Sequence, residues 1–99
     1  MTTTRHHQVS MSISEITDAA IRCGASAHFP YLRDVLICGP VGAVKKTLAV
    51  MGLGLDAQKR GIVQDVRDAA GRTWGSISST QDGRASVRLD YLLGSGSDR

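Results

Sequence analysis

The stretch Gly39 to Thr47, GPVGAVKKT, follows the apolar run DVLIC and places two lysines beside two glycines. A phosphate-cradling loop needs GxxxxGK[ST], in which glycines let backbone N–H groups approach phosphate, lysine neutralises it and the hydroxyl holds magnesium. Here Val44 stands where the last glycine belongs, and Lys46 replaces the metal-binding hydroxyl. A valine side chain would obstruct the cradle, so the stretch reads as a helix start with two surface lysines. Cys38, just before Gly39-Pro40, has the place of a thiol whose pKa a helix N-terminus lowers. An arginine six residues on would be needed to bind an oxyanion there, and Val44 occupies that position. His28 has no spacing that links it to Cys38 as a base. Cys23, His28 and Cys38 lack the fourth ligand and the close pair of a zinc site. His6 and His7 read as solvated tail residues, and no acid pair stands out. The expectation is a non-enzyme without cofactor or metal.

Composition sets the outer bounds. Ninety-nine residues make one domain with room for a single core. Only Phe29, Tyr31, Trp74 and Tyr91 are aromatic, so the core must be aliphatic and alanine-rich. A net charge of +3 permits an anionic partner without demanding one. The two cysteines form no framework, which is the usage of a reducing compartment. No signal-peptide core and no run long enough to span a membrane is apparent, so a cytoplasmic, membrane-free protein is expected.

The elements that must position these residues are read from periodicity and from start and stop signals. Residues 1–10 and 94–99 read as flexible tails around a single globular domain over 11–93. Ser12 to Cys23 is a helix opened by a capping box, Ser12 with Glu15, and closed by Gly24. Ala25 to Cys38 is ambiguous between a short helix begun by Pro30 and a short buried strand, DVLIC, with the helix preferred. Pro40 to Met51 is a helix burying Val41, Val44, Leu48 and Met51. Leu53 to Gly71 is read as the central amphipathic helix, N-capped by Asp56, with Leu55, Ile62, Val63, Val66, Ala69 and Ala70 inward. Its outer side carries Gln58, Arg60, Gln64, Arg67 and Asp68. Thr73 to Ser79 and Ala85 to Leu92 form a hairpin turned by Asp82-Gly83, with Trp74 as a lid over the helices. The predicted fold is therefore α+β, three to four helices followed by a C-terminal antiparallel hairpin. The alternative is two helices on a three-stranded meander, in which residues 62–67 are a strand and Ala69-Ala70-Gly71 a turn.

Over Val41 to Leu92, this order resembles a winged helix-turn-helix DNA-binding domain. LGLD (Leu53 to Asp56) resembles the turn before that family's recognition helix, and RDAAG followed by DGRASVRLDYL resembles its helix end and wing. Departures are Arg60 where an apolar residue is expected, and Gly61 within the helix. The resemblance implies that Gln58, Lys59, Arg60 and Gln64 face bases in the major groove. It also implies that Lys45, Lys46 and Arg67 face phosphates and that Arg84 sits at the wing tip. The function so implied is a small non-enzymatic regulator of a bacterial or mobile-element system that binds double-stranded DNA as a homodimer. The alternative is a compact protein-binding inhibitor or adaptor of the anti-defence type, acting on a nucleic-acid-handling protein complex. Convergence of Lys59, Arg60 and Arg84 on one face favours the first, whereas scatter or pairing with aspartates favours the second.

Overall fold

The computed structural model describes residues 11–31 and 34–90, with Tyr31, Lys59 and Arg60 described by their backbone alone. The predicted tails, with His6 and His7, and the strand end at Tyr91 and Leu92 lie outside these residues. The elements in chain order are α1 (Ile13–Cys23), β1 (Ser26–Tyr31), β2 (Asp34–Pro40), α2 (Val41–Val50), β3 (Gly54–Arg60), β4 (Val63–Arg67), β5 (Thr73–Ser79) and β6 (Arg84–Asp90). All six strands form one antiparallel sheet in the order β1-β2-β6-β5-β4-β3. Three hairpins join β3 to β6, while β2 and β6 meet only through the fold.

This architecture overturns the expectation of three to four helices followed by a hairpin, because the described chain holds two helices and a six-stranded sheet. The two-helix alternative also falls short, since its meander has half the strands. The decisive error concerns Leu53 to Gly71. That stretch is β3, a two-residue Gly61-Ile62 loop, β4 and a turn, not a recognition helix. Gly61 adopts φ +67°, the conformation a Gly-X hairpin loop asks of its first residue. What reads as a weak spot in a helix is thus the residue that makes the turn. Ala69 and Ala70, counted as core at helical spacing, are exposed in the next turn. A methyl group is cheap to leave wet, so the alanine stripe had little power to hold a helix together. The preferred short helix before Cys38 is likewise replaced by β1 and β2. Val35 and Ile37 of β2 are buried while Leu36 and Cys38 face the other way.

Both helices lie on one side of the sheet. The capping box of α1 is present: Glu15 N donates to Ser12 Oγ at 3.2 Å, and Ser12 N donates to Glu15 Oε1 at 2.7 Å. Ile16, Ala19 and Ala20 are buried, whereas Ile13 is half exposed. Helix α2 has no side-chain cap; its first amide, Val41 N, donates to Gly83 O in the β5–β6 turn at 2.8 Å. That bond fixes the hairpin tip to the helix start. Helix α1 packs on α2 and β1, and α2 packs on β2 and β6. One core joins Ile16, Val44 and Leu48 to Val35, Ile37, Val87 and Leu89, and extends through Met51 and Leu53 to Val66, Trp74 and Ile77.

Trp74 enters this core through an irregularity. Val66 pairs with Gly75 and Arg67 with Thr73, which leaves Trp74 as an extra residue in β5. A bulge of this kind re-aims a side chain, and Trp74 is 2% exposed. Gly75 is required beside it, because a Cβ there would overlap the carbonyl oxygen of Arg88 and come within 2.9 Å of its carbonyl carbon. Asp68, placed on the wet side of the expected helix, is buried beneath the β4–β5 turn and accepts the Trp74 indole N–H at 2.9 Å.

Candidate anion-binding sheet face

The face of the sheet turned away from the helices is covered by none of the described elements. Alternation along β6 puts Ala85, Val87 and Leu89 into the core and leaves Arg84, Ser86 and Arg88 exposed. The register carries this alternation sideways. Ser26, Cys38, Ser86, Ser78 and Val63 form one row across five strands, and His28, Leu36, Arg88, Ser76 and Asp65 form the next. The centre of the face is therefore a patch of small hydroxyl side chains with an arginine on either side of Ser86. Arg84 and Arg88 are four residues apart on β6, about 13.6 Å along the strand, so both can meet one extended polyanion.

Hydrogen bonds hold the first row in place. Cys38 Sγ donates to Ser86 Oγ at 3.8 Å, Ser26 Oγ donates to Cys38 O at 3.5 Å, and Ser26 Oγ lies 3.2 Å from His28 Nε2. At the hairpin tip Thr80 N donates to Arg84 O at 2.9 Å, Arg84 N donates to Thr80 Oγ1 at 3.3 Å, and Thr80 Oγ1 donates to Asp82 Oδ1. The Thr80 bond, followed by backbone bonds and Arg84, holds the Asp82 carboxyl below its ordinary pKa. A depression of about 620 Å³ lies beneath this tip, lined by Cys38, Ser78, Thr80, Arg84 and Ser86 among others. At the opposite end of the same face Asp34 and Asp90 stand across from each other on β2 and β6. An anion is therefore drawn toward the Arg84–Arg88 half.

The expected nucleic-acid residues do not form one surface. Lys45 and Lys46 are exposed on α2, in the layer on the far side of the sheet. Gln58 is exposed on the edge strand β3, and the backbones of Lys59 and Arg60 follow it there. Gln64 is engaged within the sheet: its Nε2 donates to Asp56 O at 2.8 Å and clamps the irregular β3 to β4. Arg67 is engaged as well, with Nε 3.0 Å from Asp56 Oδ2 and Nη2 3.6 Å from Asp65 Oδ2. Asp56 is no helix cap, yet it still accepts from Gln58 N at 3.1 Å, and that bond together with Arg67 lowers its pKa. Arg84 is exposed at the hairpin tip, and β5 and β4 lie between its strand and that of Lys59 and Arg60. Arg88, which neither composition nor motif singled out, is exposed and held in no ion pair with a described residue. The alternation of Ser86, Arg88 and Asp90 with Val87 and Leu89 could have found it, because it marks the wet face of a strand.

Comparison with protein-family models, with curated proteins and with solved structures yields no match. No helix among the described residues is long and apolar enough to cross a membrane. Among those residues there is also no group of three or more His, Cys, Asp or Glu placed to hold a metal ion.

Proposed function

We propose that this protein is a small non-enzymatic nucleic-acid-binding protein that meets the phosphates of a duplex with its uncovered sheet face. The observation that carries this reading is that Arg84 and Arg88, on either side of Ser86, form no ion pair with a described residue, while Arg67 and Arg72 are bound to aspartates. Guanidinium and hydroxyl groups are the usual partners of phosphate oxygens, and sheets as well as helices serve as DNA-binding surfaces. Stacking on unpaired bases needs aromatic rings, and among its described residues this face offers only the imidazole of His28, at the edge strand β1 and hydrogen-bonded to Ser26. Contact is therefore to backbone rather than to bases, and sequence preference is weak. A homodimer in the cytoplasm belongs to this reading, since one face of this size supplies few phosphate contacts.

The test is fluorescence anisotropy with random-sequence duplex across a salt series. Affinity should fall steeply as salt rises, because each neutralised phosphate releases counterions. Arg84→Gln and Arg88→Gln should each weaken binding. Absence of binding at micromolar protein and low salt removes the reading. The second reading, a protein-binding inhibitor or adaptor of a nucleic-acid-handling complex, is favoured by the two strands that separate Arg84 from Lys59 and Arg60 and by the ion pairs that occupy Arg67 and Arg72. It would then gain, with the same face meeting an acidic protein surface.

A further inference from the structure

We infer that the depression beneath the β5–β6 turn is a binding site for a phosphate monoester, with Arg84 as its cation and Ser78 and Ser86 as its hydroxyl donors. This rests on the anion-binding reading of the sheet face and narrows it to one ligand group.

Three observations support the assignment. The first is size: about 620 Å³ is several times what a lone phosphate fills, and lies within the range of roughly 300–1,000 Å³ typical of small-ligand sites. Gly39 and Ala85 line it without bulky side chains, so room remains for the sugar and base attached to a phosphate. The second is donor geometry. Ser86 and Ser78 are directly cross-strand, and Arg84 lies two residues before Ser86 on the same strand. Ser86 Oγ already accepts from the Cys38 thiol, which leaves its own proton to donate outward. The third is position. The depression lies at the end of the ladder, where Thr80 to Arg84 close the hairpin and the bond from Val41 N to Gly83 O anchors the tip. A strand end or a free nucleotide suits a site bounded by a turn better than a continuous backbone does. Asp82 also lines the depression and opposes an anion. Its hydrogen bond to Thr80 ties it to the turn, and it sets a limit on affinity that can be removed.

The experiment follows the Arg84, Ser86 and Gly39 amide resonances of the full chain by NMR, with affinities from calorimetry. Its probes are adenosine monophosphate, adenosine, and a short single-stranded oligonucleotide carrying either a terminal phosphate or a terminal hydroxyl. Adenosine monophosphate should shift these amides to saturation, and adenosine should not. Arg84→Gln should weaken binding by about tenfold or more, as loss of a charge-assisted bond implies. Ser86→Ala should weaken it severalfold, and Asp82→Asn should tighten it. Saturation by the phosphorylated oligonucleotide as well identifies a strand end as the source; saturation by the nucleotide alone identifies the free monoester. No shift at millimolar adenosine monophosphate, or equal affinity for Arg84→Gln and wild type, overturns the assignment. A duplex with terminal hydroxyls tests the broader reading separately. If it binds while the monoesters fail, only the monoester site falls; if it fails while they bind, only the duplex reading falls.

Discussion

Replacing Asp68 by asparagine tests how the sheet is held at its β4–β5 turn. The Asp68 side chain is 0% exposed and its two oxygens accept four bonds. Oδ1 takes the backbone N–H groups of Ala70 at 2.9 Å and Arg72 at 3.0 Å. Oδ2 takes Arg72 Nε at 3.2 Å and Trp74 Nε1 at 2.9 Å. Asparagine keeps the shape and one acceptor oxygen, but sets an NH2 group against two donors. Bonds to a charged acceptor contribute about 1.5–3 kcal/mol each, so losing two costs about 3–6 kcal/mol before relaxation. Arg72 is partly exposed and can turn to water, which brings the expected loss to about 3 kcal/mol. For a chain of this length that lowers Tm by roughly 12–24 °C.

The assay is urea unfolding followed by the fluorescence of Trp74, the single tryptophan. The dependence on pH has a definite sign. Burial pushes the Asp68 pKa up, but the bonds from Trp74, Arg72 and Ala70 and the Arg72 charge outweigh it and hold the native value below 3.8. The unfolded chain therefore binds this proton more readily. The stabilisation is complete above the unfolded pKa and is lost as pH falls through the native one. Asp68→Asn should lack that component of acid sensitivity. A variant within about 0.5 kcal/mol of wild type, the range of ordinary surface substitutions, would refute the hub role of this carboxylate.

Other expectations follow from particular contacts. Gly75→Ala should prevent the β5–β6 pairing from closing, seen as loss of the cooperative thermal transition, because its methyl has no space beside Arg88. Ser12→Ala should cost about 1 kcal/mol in urea unfolding, the usual worth of an N-cap, with the outer face of the sheet untouched. In duplex titrations Arg88→Gln should reduce the salt slope by about one, whereas Arg67→Gln, already paired in the native state, should leave it nearly unchanged. Equal effects of the two arginines would show that ion pairing does not decide which cations meet phosphate.

Local signals of short range were legible. Ser12 and Glu15 announced α1, Gly24 its end, and Val44, Leu48 and Met51 the buried stripe of α2. Asp82-Gly83 marks the β5–β6 turn, and Trp74 reads as a lid over the core, whereas its bulge depends on the pairing of β4 with β5. The candidate face was partly legible. Arg84 reads as a hairpin-tip residue from the sequence, whereas Arg88, Ser76, Ser78 and Ser86 gather only when β6 sits between β2 and β5.

What the sequence by itself determined was the set of strongly capped and strongly alternating segments, because caps and alternation act over a few residues. The tertiary structure decided Leu53 to Gly71. Its apolar residues fit a helical stripe as well as a strand, and a helix satisfies its own backbone. A strand does so only when neighbours are present, and β5 supplies that neighbour to β4 here. That pairing brought Asp68 to Trp74, the pairing of β3 with β4 set Asp56 beside Arg67, and no carboxylate among the described residues forms an ion pair with Arg84 or Arg88. Which cations are free depends on which carboxylates the fold brings beside them, and spacing along the chain does not record that.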